Sequence, residues 1–189
     1  MPFGEYIPYR SFFRTFSDKV DLVAKDFVAG DRTGLLRLGP ATVGDVICFE
    51  VAYDGLVREP VRQGADLLVV QTNNATFGYT NESVQQLAMS RLRAIESGRS
   101  VVHISTVGIS AVIRPDGTVV RRSGHFDQEV LEADVPLRTD RTVATRVGAA
   151  PEWALAGVGA ALVLAGAWSG RDGARRRRRP GPGQTEGTR

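Results

Sequence analysis

The chain has 189 residues, 42% of them hydrophobic and 24% charged, which is the composition of one ordinary globular domain. Its formal charge of +3 is an end effect: six arginines, Arg171 and Arg175 to Arg179, gather near the C-terminus, and the remainder is mildly acidic, which argues against a nucleic-acid surface on the folded part. The single cysteine, Cys48, excludes an internal disulfide and any multi-cysteine metal site, and His103 and His125 have no partners at metal-ligand spacing, so both read as satisfied core or surface residues.

The N-terminus carries neither the basic nor the apolar region of a signal peptide. Residues from about Glu5 to Val28 are rich in aromatics: Tyr6, Tyr9, Phe12, Phe13, Phe16 and Phe27. After Pro8 the pattern fits a short amphipathic helix, whose aromatics either pack in the core or form a lipid-facing arm; core packing is the expectation. Gly30 to Gly39 reads as a loop.

Val43 to Val51 reads as a buried strand with Cys48 near its end. A helix is expected over Asp54 to Gln63, disturbed by Pro60. Ala65 to Val70 reads as a second buried strand, followed by a polar loop from Gln71 to Asn81. Glu82 to Ser97 is predicted to be a helix, with Val84, Leu87, Ala88, Leu92 and Ile95 on its apolar face and Gly98 ending it. Strands are expected at Ser100 to Ser105 and Ile109 to Arg114, with Pro115-Asp116-Gly117 turning into another at Thr118 to Arg122. Glu129 to Val135 reads as a final strand. This order predicts an α/β domain built on a mixed sheet.

The tail differs. From Ala149 to Trp168 the only charge is Glu152, near the start. A helix of 16 to 20 such residues is ~24 to 30 Å long, enough to cross a bilayer core. Trp153 and Trp168 bracket it as interfacial aromatics do, and the arginine run that follows favours a transmembrane helix over a buried core helix. The same arginines place the C-terminus in the cytoplasm and the folded domain outside, although Arg138, Arg141 and Arg146 stand on the opposite flank. Pro180 to Arg189 is expected to be disordered.

Cys48 is the first candidate for chemistry. At the end of a buried strand, with a helix starting just beyond, a thiol feels helix N-terminal amides that favour thiolate. Taken alone, a strand cysteine is as a rule an inert small hydrophobe. Glu50, two residues on, shares a side with Cys48 if the chain stays extended, where its carboxylate either moves protons or makes a structural ion pair.

Cys48-Phe49-Glu50-Val51 followed by Gly64-Ala65-Asp66-Leu67-Leu68-Val69 resembles the nucleophile segment of the carbon–nitrogen hydrolase (nitrilase) superfamily. Pro2-Phe3-Gly4-Glu5-Tyr6-Ile7-Pro8 resembles its Pro-Phe-Gly-Glu segment. Asn73-Asn74-Ala75-Thr76-Phe77-Gly78 resembles the Asn-Asp-Ala-Trp-Phe-Gly loop of one branch, the apolipoprotein N-acyltransferases, with Asn74 and Thr76 in place of Asp and Trp. Arg91 to Arg99 and the hairpin from Gly108 to Gly117 resemble two further segments of that branch, which also carries a C-terminal span.

The resemblance implies an αββα sandwich, here partial, followed by one C-terminal transmembrane helix. It divides the chain into a hydrolase-like part at 1–136, a juxtamembrane linker at 137–148, a membrane helix at 149–169 and a basic tail at 170–189. It implies acyl transfer from a phospholipid, through a thioester on Cys48, to the N-terminal amine of a diacylglyceryl-modified apolipoprotein, with no cofactor and no nucleic acid. Glu5 then matches an additional active-site glutamate, Glu50 joins the catalytic set, and Phe49, Phe77 and Asn73 line the substrate site. The family's catalytic lysine and general-base glutamate map before Met1, so this chain alone is expected to be inactive and to fold poorly without its N-terminal half. Met1 occupies a position where the family commonly has Val, so an internal start is expected. The competing readings are a soluble amidase or nitrilase and a non-catalytic membrane remnant or subunit.

Overall fold

The computed structural model describes residues 6–23, 25–28 and 30–177. The chain divides into two compact units with the boundary between Arg146 and Val147. Glu5 and the residues beyond 177 lie outside the described residues, as do the readings made on them.

The first unit is built on a six-stranded mixed sheet in the order β1-β2-β3-β4-β5-β6. Its strands are β1 (Leu35–Leu38), β2 (Ala41–Ile47), β3 (Leu67–Thr72), β4 (Ser100–Ser105), β5 (Ala111–Ile113) and β6 (Val119–Arg122). The central three run parallel and the outer pairs antiparallel. Parallel neighbours need a crossover, and α2 (Asp54–Arg62) and α3 (Glu82–Ser97) supply the two. Both pack on one face of the sheet, over Val46, Leu68, Val70 and Val101, which with Val51, Val57 and Val61 form the apolar core. Gly44 lets α2 come close: a Cβ there would lie 2.8 Å from the Pro60 Cβ. Pro60 is accommodated within the last turn of α2 and buried there, rather than breaking it.

On the other face Val69 and Val102 are only half-buried, and Ile47 and Ile104 are 57% and 48% exposed. Gln71 Nε2 donates to Asp45 Oδ1 at 2.7 Å on that side. No helix covers it among the described residues.

Four expectations fail here. The supposed loop before Gly39 contains β1, an exposed edge strand hidden by its brevity and by polar flanks. Glu129 to Val135 forms no strand: no neighbour offers a ladder, and Val130 is 86% exposed. The N-terminal arm folds into α1 (Arg10–Arg14) and a 3-10 turn (Asp18–Leu22), with Tyr9, Phe12, Phe16 and Phe27 outside the core. An ion pair closes this arm, Arg10 reaching Asp26 at 2.5 Å.

The fourth failure concerns α3, whose limits are as expected, with Gly98 in the left-handed conformation just beyond its end. The helix is rotated, however. Its apolar stripe of Val84, Leu92 and Ile95 is exposed, while Ser83, Gln86, Ser90, Arg93 and Ser97 are buried beside Leu87 and Ala94. Small residues let the helix sit close, and the polar ones meet hydrogen-bonding groups beneath.

The stretch read as a linker is tied to the sheet unit. Ser100 Oγ donates to the Pro136 carbonyl, and the buried Arg99 guanidinium donates to the Ala65 and Asp140 carbonyls at 2.7 and 2.6 Å. Burial lowers the Arg99 pKa, but the guanidinium stays charged and these carbonyls take its N–H groups. The short α4 (Val143–Val147) follows, with Thr142 Oγ1 accepting from Thr145 N near its start.

The second unit is dominated by α5 (Ala150–Arg177). Its segment Ala150–Trp168 spans 19 residues with a mean hydropathy of 1.4 and no burial within the chain, so it is long and apolar enough to cross a membrane.

Candidate active site

β2 delivers Cys48 to the carboxyl end of the parallel strands, where open α/β sheets place ligands. There the chain does not stay extended. Cys48 has φ 51, in the left-handed region that non-glycine residues enter at a cost, and it opens a 3-10 helix over Cys48–Ala52. The premise that Glu50 shares a side with Cys48 through strand alternation is therefore overturned. Glu50 instead turns back, and its Oε2 accepts from the Ile47 amide at 2.8 Å, closing the first turn.

Arg93 holds the other end of the turn. Its guanidinium donates to the Val51 and Ala52 carbonyls at 2.8 and 2.9 Å, groups a short helix leaves unpaired. Asp54 and Glu96 balance its charge. The strained cysteine is thus clamped between a carboxylate before it and a guanidinium after it.

The half-buried thiol faces β3 and α3. In the parallel register Ile47 lies opposite Gln71, so the next residue on β3, Thr72, faces Cys48. Thr72 Oγ1 is 3.4 Å from Cys48 Sγ, and Gln86 Nε2 is 3.9 Å from it. Behind them Thr72 Oγ1 is 2.7 Å from Asn74 Oδ1 and 3.1 Å from Gln86 Oε1. Sequence reasoning assigned no site role to Thr72, Asn74 or Gln86. Only strand pairing brings Thr72 to the thiol, and only the unexpected rotation of α3 brings Gln86.

The remaining sequence-predicted site residues scatter around this centre. Phe49 is 39% exposed and meets Tyr53 edge-on, with ring centroids 6.2 Å apart. Phe77 is half-buried at the end of a short 3-10 turn, Ala75–Phe77. Asn73 is exposed, and its Oδ1 accepts from Ala75 N and Thr106 Oγ1, which fastens the loop after β3 to the loop after β4. Glu5 is outside the described residues. Farther along, Tyr79, His125 and Phe126 form a ring cluster, Tyr79 and Phe126 being 4.7 Å apart.

What this arrangement offers chemically is one thiol on a strained turn, with buried hydrogen-bond donors behind it and an exposed aromatic beside it. That suits nucleophilic attack on a carbonyl carbon.

The carbon-nitrogen hydrolase family model matches residues 9–145. The chain is 43% identical over 163 residues to the apolipoprotein N-acyltransferase of Mycolicibacterium smegmatis, covering 86% of this chain and 27% of that protein. It is 33% identical over 168 residues to the apolipoprotein N-acyltransferase of Shewanella oneidensis, covering 88% of this chain and 32% of that protein. It therefore spans about a quarter to a third of the length of the curated relatives it matches. Among solved structures, the carbon-nitrogen hydrolase from Helicobacter pylori G27 superposes with a TM-score of 0.52 at 15% identity, over 59% of this chain and 46% of that one, a likeness of fold.

Proposed function

Because the chain belongs to the carbon–nitrogen hydrolase family, we propose that Cys48 is its nucleophile and that the whole protein is an N-acyltransferase of lipoprotein maturation. The observation that carries this reading is the placement of the one cysteine: a clamped, strained turn at the carboxyl end of a parallel strand, in a chain 43% identical to a protein named apolipoprotein N-acyltransferase.

In the first half-reaction the Cys48 thiolate attacks the ester carbonyl of a phospholipid. The C–S bond forms, the C–O bond breaks, and the lysophospholipid leaves with the oxygen and a proton. In the second, the N-terminal amine of a diacylglyceryl-modified apolipoprotein attacks the thioester. The amide forms, the C–S bond breaks, and the thiol is restored. Glu50 serves this chemistry by fixing the turn through the Ile47 amide, Phe49 and Phe77 line the acyl path, and Asn73 holds the loop that carries Phe77. Glu5 adds a carboxylate to the site. A cationic group beside the thiol and a general base for the amine complete the set.

The same reading makes the sheet one half of an αββα sandwich. Its uncovered face, with Ile47 and Ile104 exposed, supports this, because a second sheet would bury it. The segment Ala150–Trp168 becomes the membrane span after a hydrolase-like part, with the domain on the outer side and the arginine-rich end in the cytoplasm.

The test is complementation in a bacterium lacking lipoprotein N-acylation, with a reporter lipoprotein read by mass spectrometry and membranes washed at alkaline pH. The complete gene is expected to restore the amide-linked acyl chain and to stay in the washed membranes. Cys48→Ala is expected to lose transfer by on the order of a thousandfold or more. Undiminished transfer by Cys48→Ala would sink the assignment.

A further inference from the structure

We propose that Asn74, Thr72 and Gln86 form a buried hydrogen-bond relay that ends on Cys48 Sγ and stabilises negative charge as it develops there; the proposal rests on Cys48 being the nucleophile. Thr72 is a positioning residue in this scheme, acting through the sulfur and not on substrate.

The argument begins with proton counting. The Thr72 hydroxyl has one proton to give. Around it stand three atoms placed as acceptors: Asn74 Oδ1 at 2.7 Å, Gln86 Oε1 at 3.1 Å and Cys48 Sγ at 3.4 Å. At the same time Asn74 Nδ2 is buried without a partner. A surplus of acceptors beside an orphaned donor is an arrangement that buried networks avoid.

One change supplies the missing donor to Thr72 and frees the Thr72 proton. Oxygen and nitrogen of an asparagine amide exchange places on a half-turn about the last side-chain bond, and hydrogen bonding decides between them. With Nδ2 toward Thr72, Asn74 donates to Oγ1 across the same 2.7 Å separation. The Thr72 proton is then free for Gln86 Oε1 or for sulfur. The amide oxygen takes the place beside Gly108, where a Cβ would lie 2.5 Å from the amide atom and 2.6 Å from Ser105 Oγ.

The relay then responds to the charge on sulfur. Beside a thiol, the Thr72 proton rests on Gln86 Oε1. Beside a thiolate it turns to Sγ, and Gln86 Nε2, 3.9 Å away, faces the sulfur as a second donor. Donors to the charged form favour that form, and the thiolate is the reactive species. Thr72, Gln86 and Asn74 are 6%, 4% and 1% exposed, so water cannot readily replace any of them.

The test is alkylation of Cys48 by iodoacetamide across pH 5 to 10. It is run on the full-length protein in mild detergent and read by mass spectrometry on the peptide carrying Cys48. Thr72→Val is expected to slow alkylation at neutral pH about tenfold and to move the pH profile upward, with Thr72→Ser restoring the parent profile. Asn74→Asp is expected to shift the profile in the same direction, because a carboxylate cannot donate to Thr72 and adds a negative charge. Parent-like profiles in Thr72→Val or Asn74→Asp would overturn the relay. Should Thr72→Val fail to unfold cooperatively, Asn74→Asp carries the decision alone. Alkylation needs no acyl donor, so failure of the relay and failure of the acyltransferase reading register separately.

Discussion

His103 sits in the middle of β4, 1% exposed, with Nδ1 2.8 Å from Ser90 Oγ and Nε2 without a partner. Burial lowers its pKa from 6.5 to about 4, because an imidazolium there would lose its water. Between those two values the unfolded chain carries a proton that the folded chain lacks. Unfolding therefore takes up a proton, and stability falls as pH drops through that window, by at most about 3 kcal/mol at its lower end. Above the window His103 adds no slope. Denaturant midpoints measured from pH 7 to pH 4 are expected to fall steeply in the parent and less steeply in His103→Gln. Equal slopes would mean that another group governs the acid response. The sequence reads His103 as a satisfied core or surface histidine; the structure places it in the core with one nitrogen satisfied, a detail that no local pattern carries.

At the scale of elements, the face of α3 decides the site. Hydrophobic periodicity points to Val84, Leu87, Ala88, Leu92 and Ile95, yet of these the helix buries Leu87 and turns a polar stripe inward beside it. The energetic reason lies at the Cys48 turn, whose terminal carbonyls need a donor. Arg93 supplies it while Asp54 and Glu96 neutralise it. Arg93→Leu is expected to cost about 3 kcal/mol, since it strands two carbonyls and leaves Asp54 and Glu96 with Arg58 as their partner. The loss is measurable as a lower denaturation midpoint, and a change below about 1 kcal/mol would show that water takes over the role. Element positions along the chain were legible: α3 spans Glu82–Ser97 as periodicity and Gly98 imply, and β4 spans Ser100–Ser105. Orientation was not, because hydropathy records what side chains avoid and not which hydrogen bonds a distant turn requires. β1 and the absent strand at Glu129 to Val135 fail for a related reason: pairing depends on a neighbour that no local window contains.

For the whole molecule, the site is legible in part. The residues around Cys48 and the loop from Asn73 to Gly78 carry the resemblance, while Thr72 and Gln86 come to the thiol only through the parallel register and the rotation of α3. The interior that results is mixed: Thr72, Asn74, Gln86, Ser90, Arg93, Arg99 and His103 are buried alongside the valines and leucines. This has a calorimetric consequence. Hydration of newly exposed apolar surface raises the heat capacity on unfolding, and hydration of polar surface lowers it. A unit with so polar an interior has a smaller heat-capacity increment than the usual ~12–15 cal/mol/K per residue. Its curve of stability against temperature is accordingly expected to be shallow, losing little on cooling.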